Sequence, residues 1–338
     1  MTAFARCLSP APRAAWTALL ERSEDALAFH APHWIDALCA TGRYGDASRL
    51  YETPDGRRLL VPMVRRTGVA RPLRLQASLP YGWGFGGILT SDPLTPSDVS
   101  GVLADLQRAR AARVSLRPNP LSAQVWSEGA PAGVRRVART AHVLDLTCGL
   151  GRVEAGFSSS ARRAIRKAER SSLTITCDTS GAHVPVFRSL YRKSVDRWAA
   201  KRGEPLWLAR RRAALREPEE KLRRVADHLG SACEIWVAWL DGLPAASVVV
   251  LHQGGSASYW RGAMDTEVAG RTQPNYLLHA RAIEAACRAG CRYYHMGETG
   301  QSKSLAQFKS RFGASPRDYS EFRIERLPLT AISSLVGS

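Results

Sequence analysis

Lysine is scarce in this chain, as codon bias toward arginine would make it, yet the few lysines retained are candidates for chemistry. Forty-two arginines stand against six lysines, Lys167, Lys193, Lys201, Lys221, Lys303 and Lys309, none of them before residue 167. Where arginine is the default cation, a retained lysine supplies a compact, rotatable ammonium with three donors. Such a group suits an oxyanion that develops during a reaction. Lys309 follows Phe308 on a short apolar-periodic stretch that Gly313 stops. His295 and Glu298 end a strand pattern, where a base titrating near neutrality would move a proton. Tyr259 and Trp260 are neighbours on another strand pattern, so they face opposite sides of a sheet and one of them is placed to line a cavity. Arg261 beside them suits a phosphate, and Asn275 opens a helix as a cap or a ligand contact. The seven cysteines contain no C-x-x-C pair. No cluster has metal-ligand spacing, and neither a structural zinc site nor a disulfide framework is expected.

The charge points to a large polyanion. With 48 Lys+Arg against 30 Asp+Glu, the net charge is +18. Residues 151–230 hold 19 Lys+Arg and 9 Asp+Glu, a net of +10. Within them, Arg162, Arg163, Arg166, Lys167 and Arg170 fall at i, i+1, i+4, i+5 and i+8 and form one broad cationic face of a helix over 157–170. RNA rewards distributed cations through phosphate contacts and counterion release, and A-form RNA is read largely by shape. The uncharged stretches 75–91 and 242–260 contain Pro, Gln, Gly and Ser and do not read as membrane spans. No apolar secretory segment opens the sequence, and a cytoplasmic setting is expected.

These residues need a framework. At roughly 150 residues per domain the length predicts two domains, placed at 1–147 and 148–330, with 331–338 as a tail. The first alternates helices (14–27, 32–40, 94–110) with strands, including a hairpin of 49–52 and 57–65 around Asp55-Gly56. Its segment LPYGWGFGGIL, residues 79–89, offers Tyr81 and Trp83 as a wall for a substrate or as packing. In the second, helices at 184–200 and 210–229 precede three strands, 234–240, 245–252 and 256–263. Asp241-Gly242 and Gly254-Gly255 join these closely enough to force an antiparallel meander. A helix at 275–289, a strand at 291–296, a short helix at 305–312 and a strand at 319–326 complete an α/β (α+β) chain.

That order resembles the core of the GNAT acyltransferase fold. FSSSARRAIRKAERSSLTI, ASYWRGAMD, QPNYLLHARAIEAACRAGCRYYHMGETG and SLAQFKSRFGA together resemble the Fem-type and BioF-like acyltransferases over most of 143–326. Over 1–142 the likeness rests on AFHAPHWIDAL, the Asp55-Gly56 hairpin and YGWGFGG. The resemblance implies tandem GNAT-like domains, each a mixed, mostly antiparallel sheet flanked by helices. It implies transfer of an activated acyl group, often an amino acid esterified to tRNA, to an amine. It places Phe308 and Lys309, the "FK" pair, in the site and maps the aromatic residues of the third meander strand to Tyr259 and Trp260. Two departures bear on partners. The turn Gly270-Arg271-Thr272-Gln273-Pro274-Asn275 lacks the spaced glycines of a pyrophosphate cradle, and Pro274 has no N–H. The coiled-coil arm of some Fem enzymes is missing.

The sequence therefore predicts an aminoacyltransferase with aminoacyl-tRNA as co-substrate and no bound cofactor or metal. Catalytic candidates are Lys309, Phe308, Tyr259 and His295. Substrate contacts are expected from Trp260, Arg261, Asn275, Glu298, Tyr81 and Trp83, and tRNA contacts from Arg162, Arg163, Arg166, Lys167 and Arg170. The acceptor is expected to be a small-molecule amine from specialised-metabolite or antibiotic biosynthesis. Alternatives are an acyl-CoA-dependent N-acyltransferase, a transferase acting on a peptidoglycan precursor, and a GNAT-like nucleic-acid-binding protein without catalysis.

Overall fold

The computed structural model describes residues 4–70 and 73–327, so the expected tail 331–338 lies outside the described residues. The chain divides into two compact units, Met1–Ala141 with the segment from Arg317 on, and His142–Pro316. The expected contiguous division at 147/148 is thus corrected. The strand Ser315–Glu325 pairs antiparallel with Arg113–Leu116, and Phe322 is buried in the first unit's core.

In the first unit a three-stranded antiparallel sheet joins Arg6–Leu8, Arg49–Glu52 and Arg58–Val61. A second run of neighbours is Tyr44–Asp46, Val64–Arg66, Leu75–Ala77, Arg113–Leu116 and Ser315–Glu325. The helix Pro96–Arg108 starts where the sequence dictates: Thr95 and Asp98 form a reciprocal capping box and Pro96 takes the first helical position. Its apolar face, Val99, Val102, Leu103 and Leu106, closes a core with Val114, Leu116, Trp126 and Phe322.

The second unit is built on the meander Cys233–Leu240, Leu243–Gln253 and Ser256–Met264, with Leu173–Asp178 antiparallel on its outer side. Asp241 and Gly242 both take positive φ, as a two-residue hairpin turn requires. Tyr293–Glu298 then adds in parallel to Ser256–Met264. Helices Ser159–Glu169 and Pro274–Arg288 cover one face, and Val184–Arg202 and Lys221–Leu229 the other. The single helix expected over 210–229 is two, Leu206–Arg216 and Lys221–Leu229, because Pro218 cannot continue the first. The first helix ends at Arg22, short of the expected Leu27. No helix among the described residues is long and apolar enough to cross a membrane.

Candidate active site

All of this site lies within the second unit. The parallel strands Ser256–Met264 and Tyr293–Glu298 pair only from Ser256–Ser258 against Tyr293–His295, and beyond that they part. Two local causes act there. The register against Leu243–Gln253 skips a residue, with Arg261 opposite Val249 and Tyr259 opposite Val250, so Trp260 is the extra residue of a bulge. On the other strand Gly297 takes φ +72°, which favours glycine. Where these strands part, Lys309 arrives from the helix Lys303–Ser310, whose N-cap Ser302 accepts from the Leu305 N–H.

The Lys309 side chain is buried, 2 % exposed. Its Nζ donates to the carbonyl oxygens of Gly297 at 2.9 Å and Glu298 at 2.8 Å. Its third N–H has no protein partner among the described residues. Burial pushes the lysine down to about 7, with the Glu298 carboxylate opposing in part. Around it stand aromatic rings. Tyr259 packs edge-on to His279 at 4.6 Å, His279 to Phe308 at 5.4 Å, and Phe308 to Tyr276 at 5.1 Å. His279 is held neutral, at about 3, first by burial and then by the Lys309 charge. The His142 imidazole is lowered by the same two causes. His279 Nδ1, His142 Nδ1 and the Tyr294 hydroxyl are buried without a hydrogen-bond partner among the described residues. A buried, aromatic environment of low polarity strengthens the charge interactions an ammonium makes inside it.

Tyr259 and Trp260 do lie on opposite faces. Tyr259 faces the helix Pro274–Arg288 through His279. Trp260 faces the other side, where the Lys221 ammonium and the Arg261 guanidinium sit over its ring at 5.3 and 4.6 Å. Glu217 takes both cations, from Lys221 at 2.9 Å and Arg261 Nε at 2.7 Å. Arg261, expected to meet a phosphate, pairs here with the Glu217 carboxylate. His295 is 1 % exposed and alternates with Tyr294 and Met296 of the main core, so it points to the face away from His279 and does not join Lys309. Asn275 is the second residue of its helix rather than the cap, with Nδ2 at 3.3 Å from the Met264 sulfur. Glu298 joins the site through its carbonyl as well as its charge.

In the first unit, Trp83 is 4 % exposed and packs edge-on to Trp34, so it is core rather than wall, whereas Tyr81 is 65 % exposed. His279, His142, Tyr276 and Tyr294 escaped the sequence reading. A buried aromatic or histidine at helical or strand spacing reads as ordinary core, and only the shared position of their polar atoms sets them apart.

The basic helix Ser159–Glu169 is capped by Ser158, whose hydroxyl accepts from the Ala161 N–H at 3.1 Å. Arg162 turns back to the carbonyls of Ala155 and Phe157. Arg163, Arg166, Lys167 and Arg170 are exposed and meet no acidic side chain among the described residues. In the turn before Pro274–Arg288, the N–H groups of Gly270, Thr272 and Tyr276 bond to the carbonyls of Thr266, Ala269 and Gln273. Half of the six N–H groups of 270–276 are thus engaged within the turn, and Pro274 has none.

Residues 155–310 match the family model described as Acetyltransferase (GNAT) domain. That match lies within the second unit, and the chain as a whole takes a FemX-like fold. It superposes on FemX with a TM-score of 0.69 at 11% identity, over 97% of this chain and 99% of that one. L-PGS from Bacillus licheniformis matches with a TM-score of 0.53 at 14% identity, over 97% and 95%. The C-terminal domain of a putative lysylphosphatidylglycerol synthetase from Agrobacterium fabrum gives 0.51 at 14%, over 92% and 90%. No curated protein matches the chain.

One prediction arises from the packing at the bulge. A Cβ added at Gly262 would fall 2.4 Å from the Tyr259 hydroxyl. Gly262→Ala is expected to push that ring off His279 and slow turnover, by up to ~10²-fold if the misplacement reaches about 1 Å, while circular dichroism stays native. Unchanged turnover in a folded variant would remove Tyr259 from the site.

Proposed function

We propose that this chain moves an aminoacyl group from aminoacyl-tRNA to an amine on a small molecule and forms an amide. The observation that carries the reading is Lys309: a buried ammonium with one N–H left over, placed where two strands part inside a GNAT domain. In the proposed step the acceptor nitrogen attacks the ester carbonyl carbon. The C–N bond forms, the carbonyl-to-ribose C–O bond breaks, and the proton lost by nitrogen ends on the released ribose hydroxyl. An ester is already activated, so alignment, worth ~7–11 kcal/mol, does most of the work. The remaining Lys309 donor stabilises the tetrahedral oxyanion, and the Tyr259–His279–Phe308 cluster keeps water from competing. The exposed face Arg163–Arg166–Lys167–Arg170 holds RNA phosphates.

Product formation from a mixed pool of charged tRNA, with and without ribonuclease, tests this. Loss of product after ribonuclease supports it, and product that survives the treatment sinks it. Reversing Arg163 and Arg166 to Glu is expected to weaken tRNA binding and to lower the slope of log K against log salt by about two. An unaltered isotherm would take the helix out of RNA binding.

A second reading, acyl-CoA as donor, is favoured by the family match over 155–310. The internally bonded turn at 270–276 speaks against it, and calorimetry with coenzyme A separates the two.

A further inference from the structure

The first unit contains a cavity of about 330 Å³ that no step above uses. Strand periodicity builds it. Along Arg113–Leu116 and into the residue beyond, Val114 and Leu116 enter the core, so Arg113, Ser115 and Arg117 face the other way. On the paired strand Phe322 and Ile324 enter the core, which turns Glu321 and Arg323 to that same outer face. Arg66, Arg139, Tyr44 and Tyr81 complete the wall.

The charges there do not balance. Five arginines line the cavity with one carboxylate, Glu321. Three guanidinium groups share that carboxylate: Arg139 at 2.6 Å, Arg323 at 2.8 Å and Arg117 at 3.5 Å. Glu325 reaches Arg113 only at 4.0 Å. Arg117 is 7 % exposed, and its guanidinium lies over the Tyr81 ring at 4.9 Å. Clefts lined by one sign of charge focus the field and concentrate counter-ions. Guanidinium forks match the geometry of carboxylate and phosphate. The exposed Tyr81 ring offers a planar surface beside them.

We propose that this pocket binds the anionic group, phosphate or carboxylate, of a small molecule whose adjoining planar part lies over Tyr81. Within the function proposed above, on which this assignment of role rests, the molecule is the amine acceptor and the pocket anchors its anionic end. The cluster is positioning machinery, since the reacting amine need only extend from the anchored group.

Calorimetry on the intact protein with phenyl phosphate, benzoate and inorganic phosphate tests the pocket without tRNA or turnover. Phenyl phosphate or benzoate should bind with an affinity that falls as salt rises, and the tighter of the two identifies the anion. Arg139→Met should weaken that probe about tenfold. Because Arg139→Met could also disturb Glu321, two exposed sites give a second arm. Arg66→Ser should weaken both aromatic probes several-fold. Tyr81→Ala should weaken them while leaving inorganic phosphate unchanged. Absence of binding by every probe overturns the proposal, as does binding that none of the three variants alters. An RNA-backbone site instead would lower tRNA affinity in Arg66→Ser and leave the aromatic probes unbound, which also overturns it. Binding that persists while tRNA-dependent transfer fails would keep the pocket and remove the donor assignment.

Discussion

Replacing Lys309 by Met is expected to cost 10²–10³-fold in transfer rate and at the same time to raise the stability of the protein. The rate loss is that of one preorganised donor to a developing oxyanion. The stability gain follows from burial: the ammonium is desolvated, its hydrogen-bond partners are two neutral carbonyls, the Glu298 charge offsets that desolvation only in part, and Met fills nearly the same volume. Exchanging a buried charge for a packed apolar side chain is worth on the order of 1–4 kcal/mol. The sign with pH can be worked out. In the folded state Lys309 titrates at about 7, below its ordinary value of 10.5. Below pH 7 both folded and unfolded chains carry the proton, and the full penalty is present. Between 7 and 10.5 the unfolded chain binds more protons, so wild-type stability rises with pH. The advantage of Lys309→Met should thus be largest below pH 7 and fade toward pH 10, as urea titrations at several pH values would read. Activity should fall on the alkaline side of pH 7 as the ammonium is lost. A rate that climbs through pH 7 only when Lys309 is present would assign it the role of base instead.

Glu321→Gln is expected to destabilise the first unit by about 3–5 kcal/mol, the usual cost of breaking a buried charged cluster from one side. Glu321 is 4 % exposed in its side chain and balances Arg117, Arg139 and Arg323. Burial raises its carboxyl, but hydrogen bonds from Arg323 and Arg139 and the charge of Arg117 prevail and hold it at about 2. A depressed carboxylate stabilises the fold fully above its unfolded value of 4.5, and that contribution is lost as pH falls through 2. The gap between wild type and variant in chemical denaturation should therefore be complete at pH 7 and close between pH 4.5 and 2. Phenyl phosphate should partly rescue the variant, because a ligand that binds only the folded state stabilises by mass action. A gap that stays constant down to pH 2 would show that the ionised carboxylate is not what holds the three arginines.

Much of the second unit is legible in its residues because its contacts are local. The period-two run from Cys233 to Met264 broken by Asp241-Gly242 and Gly254-Gly255 leaves little choice but a meander. Lys309 could be picked out because so few lysines compete with it. The partners could not. The residue that neutralises Arg261 is Glu217, 44 positions away at the C-terminal end of the helix Leu206–Arg216. Trp260 looked free to line a cavity, yet its ring lies under the ammonium of Lys221, 39 positions away on the helix Lys221–Leu229, as well as the guanidinium of its neighbour Arg261. Distant pairing decided each of these, and distant pairing leaves no local pattern.

The return of the chain to its first unit after Pro316 has a consequence in time. Val114, Leu116 and Trp126 wait for Phe322 before their core can close, and about 175 residues are synthesised between Ala141 and Arg317. At 5–20 residues per second the ribosome needs roughly 10–35 s for that stretch. During this interval the second unit, being continuous, can fold as it emerges, while the first waits with an open sheet edge at Arg113–Leu116. The part of the chain made first is thus the part whose core is completed last.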